Sequence, residues 1–342
     1  MNQKNTETEA RSPGEMLRER IKRIELLLFG RPGSMRRPIV FLVAVSIVAS
    51  IVAPSFHTWS NLQALLTSSS FLIVISVGEA FVVMIGGIDL GVQSVLAASG
   101  MLAAALYVFL KMPVGLAMIL TLVFGVCVGM LVGLLITRAR IPSFIVTLGS
   151  YWGFRGIALL FNGGNYINPY AVNPPRPFNF LGIAGNVLGF PVLIVIMVVV
   201  VAAGQIVISQ TPLGTWIKST GSNEEAARAV GLRTNSIKIF VFAVSGLLAA
   251  LSGIMITAWQ DSIYPLTGEG YSLQAIAGVI LGGIPFTGGR GSIVGAALGA
   301  LVIGVINDLI VLVGLPAQYE YIFVAVVLIL AGLQARGGAV VK

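Results

Sequence analysis

Residues 190–209 read FPVLIVIMVVVVAAGQIVIS, a run without a single acid or base. As a helix rising 1.5 Å per residue it measures about 30 Å, the thickness of the hydrocarbon core of a bilayer. The rest of the chain could not bury such a run in water, because it is equally apolar. Across all 342 residues, 56% are hydrophobic and only 10% charged, against about 25% charged in an ordinary soluble domain. The run is therefore read as a membrane span, and the chain as an all-α polytopic membrane protein. Working outward from it, hydropathy places ten spans at roughly 38–54, 68–85, 92–110, 113–137, 143–161, 190–209, 238–258, 272–284, 292–314 and 318–335. The eighth is too short for a full crossing and is expected to be a broken or tilted helix ending at Gly282-Gly283. The 41 glycines point to close helix packing and interrupted helices.

Charge orients these spans. With the N-terminus inside and strict alternation, 18 of the 21 Lys and Arg residues fall on the inner side. Lys111 and Arg176 fall outside, and Arg155 lies within a span. Cytoplasmic loops retain Lys and Arg, so an N-in, C-in layout follows. The same rule accounts for the net charge of +8 without a nucleic-acid partner. The expected organisation is a cytoplasmic tail at 1–37, a transmembrane domain at 38–336 with a cytoplasmic loop at 210–238, and a short cytoplasmic tail at 337–342. The stretch MLRERIKRIELLLF (16–29) reads either as an amphipathic helix on the inner leaflet or as a partly disordered tail. Because 37 mostly polar residues precede the first apolar run, no cleavable leader is expected. The outer loop NGGNYINPYAVNPPRPFNF (162–180) has turn-forming composition.

Catalytic chemistry is poorly provided for. No G-x-x-x-x-G-K-[ST] phosphate loop, H-E-x-x-H pair or G-x-S-x-G elbow occurs. The single cysteine, Cys127, and the single histidine, His57, cannot build a metal cluster. The chain is expected to have no catalytic residues, metal or cofactor of its own, and to be a conduit.

The longest interior polar loop carries GSNEEAARAVGL (221–232). Ser222 and Glu225 stand in the S-x-x-E spacing of a capping box, which predicts a short soluble helix. Gly231 supplies a stop. Ala226 and Ala227 would permit close approach of a partner, and Glu224, Glu225 and Arg228 could form charge-assisted bonds across the contact. EAARAVG (225–231) resembles the E-A-A-x-x-x-G core of importer permeases driven by ATP-binding-cassette (ABC) proteins, although the I-x-L-P ending of the longer pattern is absent. GGIDLGVQS (86–94) resembles the G-G-I-D-L-S-V-G-S signature of ribose and monosaccharide permeases. AIAGVILGGIPFTGGRGSIVGAALGALVIGVI (275–306) is similar to the C-terminal signature of that group. Gly91 and Gln93 depart from the family's usual Ser and Gly, which leaves the solute open.

The resemblance implies a type II ABC importer-like permease, one half of a two-permease core. It also implies that Ser222, Asn223, Glu224, Glu225, Ala226, Ala227, Arg228 and Gly231 form a coupling helix docking on cytoplasmic ABC ATPase subunits. ATP and Mg would be bound by those partners. The remaining implied partners are an extracytoplasmic solute-binding protein, a second permease copy or paralogue, and the lipid of a bacterial inner membrane. A monosaccharide or polyol is the implied cargo. Branched-chain amino acids or nucleosides through a related permease, or an ion-coupled secondary transporter, are the alternatives.

Charges inside spans are costly and mark sites or structural pairs. Glu79, Asp89 and Gln93 are the candidates for the translocation path. Asp89 could equally cap the helix starting near Gly91, since Asp-Leu-Gly-Val reads as a helix start. Arg155 and Asp308 are expected to be structural. Tyr166, Tyr170, Trp259 and Tyr264 are expected in an interfacial belt. Finally, MIGGIDLGVQSVLAASGMLAAAL (84–106) echoes ILGGIPFTGGRGSIVGAALGALVIG (280–304), each an apolar segment, Gly-Gly-Ile, a polar stretch and a small-residue helix.

Overall fold

The computed structural model describes residues 35–169, 185–187 and 189–337. The stretch 16–29, read as an amphipathic helix or a partly disordered tail, and most of the 162–180 loop, including Tyr170, lie outside them. Helices form at α1 (Arg36–Val52), α2 (Trp59–Met84), α3 (Val92–Val108), α4 (Val114–Arg138) and α5 (Ser143–Leu160). A two-residue hairpin, β1 (Asn186–Val187) and β2 (Phe190–Pro191), precedes α6 (Val192–Gln210). Then come α7 (Pro212–Ser222), α8 (Glu224–Ala229), α9 (Thr234–Gln260), α10 (Tyr271–Leu281), α11 (Ile293–Leu312) and α12 (Tyr319–Gly337).

A helix stands at each expected span. Six of them, α2, α4, α5, α6, α9 and α11, are long and apolar enough to cross a membrane. The others include α3, with 17 residues, and α10, with 11. The latter is about 16 Å long, half of a bilayer core. Its end agrees with the sequence: Leu281 is the last helical residue, and Gly283 turns the chain at φ +90°.

Helix α2 is the axis of the bundle. From Ser69 to Met84 every residue is buried, because α6, α9, α10 and α11 pack around it. Helices α4 and α6 instead expose large apolar side chains such as Leu131, Leu134, Val198 and Val199. A contiguous exposed apolar surface of this kind belongs in lipid.

Contacts fix the directions. Ser252 Oγ donates to the carbonyl of Phe71 at 3.1 Å, and Gly78 lies against Ser245, so α2 and α9 are antiparallel. Leu96 packs beside Gly253 and Gly100 beside Thr257, so α3 runs parallel to α9. Its first turn therefore lies level with the middle of α9 rather than its start. Gly278 packs on Ala300 and Gly282 on Gly295, which makes α10 and α11 antiparallel.

The α4–α9 seam depends on missing side chains. Gly125, Gly129 and Gly133 recur every fourth residue and face Gly246, Phe242 and Ile239. A Cβ on Gly129 would overlap the carbonyl group of Phe242, and one on Gly133 would sit 2.7 Å from the Ile239 Cα. Small residues at this spacing let membrane helices approach backbone to backbone.

This seam predicts that Gly129→Leu lowers the thermal midpoint of the purified protein in detergent, since overpacking costs about 1–3 kcal/mol. Gly153→Ala, where a Cβ meets nothing within 4 Å, should leave the midpoint unchanged or raise it. Equal midpoints for Gly129→Leu and wild type would refute the packing account.

Candidate functional site

Two places gather the candidate residues. The first is the level at which α3 and α10 begin. After Met84 the chain turns back into the bundle, with Gly86 at φ +78°, and Asp89 arrives beside the midpoint of α9. There Ser245 Oγ donates to Asp89 Oδ2 at 2.9 Å, and Asp89 Oδ1 accepts the Gly91 amide at 3.0 Å. Asp89 thus serves the start of α3, although its bond goes to Gly91, the residue before the first helical one. Its own amide donates to Glu79 Oε1 at 3.2 Å. Glu79 is fully buried, and its Oε2 has no hydrogen-bond partner among the described residues.

The first turns of α3 and α10 cap one another. The Ser272 amide donates to Gln93 Oε1 at 3.2 Å, and the Gln93 amide donates to Ser272 Oγ at 3.3 Å. Ser272 Oγ in turn donates to the Leu90 carbonyl at 3.0 Å. The two departures from the family signature both have structural work here. Gln93 supplies the cap. Gly91 admits α5, because a Cβ on it would sit 2.6 Å from Ser150 Oγ.

Beside this double cap lies a cavity of about 600 Å³ whose polar lining comprises Gln93, Tyr151, Glu269, Ser272, Gln274 and Tyr321. The volume falls within the roughly 300–1,000 Å³ of small-molecule sites. Of the three path candidates, Gln93 lines it, while Glu79 and Asp89 are seated behind it in the core. Arg155 is buried and anchors the wall. It donates to the carbonyl of Pro265, its Nη2 lies 3.0 Å from Glu269 Oε2, and its guanidinium lies 5.9 Å from the centre of the Tyr151 ring. Tyr151 Oη donates to Glu269 Oε1 at 2.9 Å. Asp308, the other charge expected to be structural, accepts Asn61 Nδ2 at 2.9 Å. Sequence reasoning singled out neither Tyr151, Glu269 nor Tyr321, which come from α5, a loop and α12.

The second place is the 210–238 loop, and here the capping box is corrected. The segment is not one helix opened by Ser222 but two helices meeting at Asn223. Asn223 ends α7 and caps α8, its Oδ1 accepting the Ala226 amide at 2.9 Å. Ser222 closes α7, and its hydroxyl turns instead to the Gly289 carbonyl at 3.4 Å. Gly221 is wedged against the Met84 carbonyl and the Gly289 amide, which themselves pair at 2.9 Å. That bond joins the two echoing Gly-Gly-Ile loops. After α8, Gly231 reverses the chain at φ +88°.

Charges within the loop pair with one another. Glu224 accepts from Lys238 Nζ at 2.6 Å and Arg228 Nη2 at 2.7 Å, and Arg228 Nε donates to Thr234 Oγ1 at 2.8 Å. Burial alone would raise the Glu224 pKa, but Lys238 and then Arg228 hold it below the ordinary carboxylate range. Ala227 is buried, whereas Glu225, Ala226 and Ala229 are exposed and Val230 is 78% exposed.

Comparison with known proteins agrees with this architecture. Residues 61–332 match the family model described as branched-chain amino acid transport system / permease component. The chain is 36% identical to the ribose import permease protein of Haemophilus influenzae over 87% of its own length and 92% of the relative's. It is 37% identical to the ribose import permease protein of Escherichia coli K12 over 86% and 91%. It is 32% identical to the autoinducer 2 import system permease protein of Photorhabdus laumondii over 83% and 84%. No solved structure matches it significantly.

Two outcomes follow from the geometry. Ser272→Ala strands the Leu90 carbonyl and the Gln93 amide and should cost about 1–3 kcal/mol, read as a lower thermal midpoint. For Glu224, a depressed folded pKa means stabilisation that is complete above the ordinary glutamate value and is lost as pH falls through the depressed one. The midpoint difference between wild type and Lys238→Met should therefore be constant at neutral pH and shrink on acidification. A difference that grows on acidification would contradict the assigned pairing.

Proposed function

The chain belongs to the branched-chain amino acid transport system permease family, and we propose that it is the membrane subunit of an ATP-driven, binding-protein-dependent importer of a monosaccharide or polyol. It is a multi-pass protein of the bacterial inner membrane. The observation that carries the proposal is α8. A short helix outside the apolar core, capped by Asn223 and tied down by Lys238 and Thr234, turns Ala226, Ala229 and Val230 outward. Rigid, small-faced and soluble, it suits docking into a groove on a soluble ATPase. The similarity to ribose import permeases along nearly their whole length supports the cargo class.

On this reading two ATPase subunits bind ATP and Mg, and their closure moves α8. An extracytoplasmic binding protein delivers solute to the outward-facing permease, which works with a second copy or a paralogue. The energy of closure enters as a difference in the ATPases' affinity for two permease conformations. Glu225 and the exposed alanines, not Glu224 or Arg228, make the contact, because the latter two are engaged within the chain. A second reading, with a branched-chain amino acid as cargo, is supported by the family description. The layout within the proposal is ten crossings with both termini and α8 on the cytoplasmic side, as the distribution of Lys and Arg supports.

Two measurements bear on this. Ala226→Trp should leave insertion intact but weaken ATPase docking about fivefold to a hundredfold, since overpacking costs about 1–3 kcal/mol. It is read as ATPase co-purification and sugar uptake per permease in the membrane. Wild-type values for both would remove the case for a coupling helix. In a Cys127→Ser background, Val230→Cys should resist an impermeant thiol reagent in intact cells while Leu315→Cys, between α11 and α12, reacts. The reverse pattern would invert the layout.

A further inference from the structure

We propose that the cavity between α3, α5, α10 and α12 is the permease's solute site, shaped for a neutral polyhydroxylated molecule with Glu269 as its principal hydroxyl acceptor. This rests on the importer reading above. Helices that break inside a membrane bundle place backbone ends and polar side chains where a solute passes. Here both breaks occur at one point, the Gln93–Ser272 double cap, and the cavity adjoins it.

The chemistry of the lining selects the ligand. Glu269 is about half-exposed, and Arg155 and Tyr151 hold its carboxylate from behind and from the side. A fixed carboxylate accepts two hydroxyl hydrogens at once, which suits a vicinal diol. Gln93 spends its oxygen on Ser272, so its NH₂ group is the end left to donate to a solute oxygen. Gln274 is not free to do so: it is bonded to Glu320 and Asn307 and forms wall. Leu90, Leu148, Leu273 and the Tyr321 ring supply an apolar surface for the C–H face of a sugar. The balance of charge excludes an anion. Glu269 is the charged side chain of the lining, and its counterion Arg155 is buried behind it. A phosphate or carboxylate in the cavity would meet a carboxylate and, among the described residues, no cation in the lining.

The test reads occupancy directly. In right-side-out membrane vesicles carrying the full chain with Cys127→Ser together with its ATPase and binding-protein partners, Leu148→Cys faces the cavity and should react with N-ethylmaleimide. D-ribose or ribitol should slow that reaction by 1 + [L]/Kd, about threefold at twice Kd. Ribose 5-phosphate should not slow it. Protection should disappear in Glu269→Gln and weaken in Tyr321→Ala. Because Glu269→Gln leaves the Arg155 charge uncompensated and could impair folding, Tyr321→Ala, which leaves that pair intact, decides if the first variant is absent from the membrane. Right-side-out vesicles that accumulate sugar only when ATP is enclosed in them but show no protection would overturn the site alone. Protection without ATP-driven accumulation would overturn the importer reading and leave the site standing. The absence of both would overturn both, and equal protection by the phosphate ester would overturn the neutral class.

Discussion

A helix that stops inside a membrane must satisfy its free backbone groups from the protein itself, since hydrocarbon offers none. This constraint organises the centre of the bundle. Helices α3 and α10 both begin there, and each borrows its cap from the other through Gln93 and Ser272. The turn leading into α3 is closed by Asp89, which spends one oxygen on Gly91 and the other on Ser245 of α9. Ser272 adds a bond to the Leu90 carbonyl. The breaks are therefore not loose ends. They form one bonded knot whose parts lie some 180 residues apart in sequence.

The knot also explains why two buried acids ten residues apart, Glu79 and Asp89, have different surroundings. Asp89 sits on a turn and meets donors on both oxygens. Glu79 lies within α2, walled in by neighbouring helices, and receives the Asp89 amide on Oε1 alone. Nearness in the sequence to a polar motif thus says little about access to the cavity. Access belongs to Gln93, in the first turn of α3, and to side chains delivered by α5, α12 and the loop before α10.

Features held locally were legible in the sequence, and features held at long range were not. The helix positions, the short helix ending at Gly282, the stop at Gly231 and the family all follow from composition and short motifs. The capping box failed at a single residue. Ser222 and Asn223 are both good caps, and local spacing favoured Ser222 because Glu225 stands three residues on. What decides for Asn223 is distant: Gly221 is wedged on Met84 and Gly289, and the Ser222 hydroxyl turns to the Gly289 carbonyl. The cavity was invisible for the same reason. Tyr151, Arg155 and Glu269 meet across more than 100 residues, and none belongs to a motif. Arg155 did show itself as a costly charge in a span, but its partner did not.

The junction at Asn223 has a mechanical meaning. One residue ends α7 and starts α8, so the two helices form a cranked arm with no linker to absorb a twist. Its fulcrum is Gly221, pressed against the point where the end of α2 and the loop before α11 are pinned together. Torque applied at the exposed tip, Val230, reaches that pin through about two turns of helix. If a partner moved the arm, the end of α2 and the loop before α11 would be the first parts it pressed on.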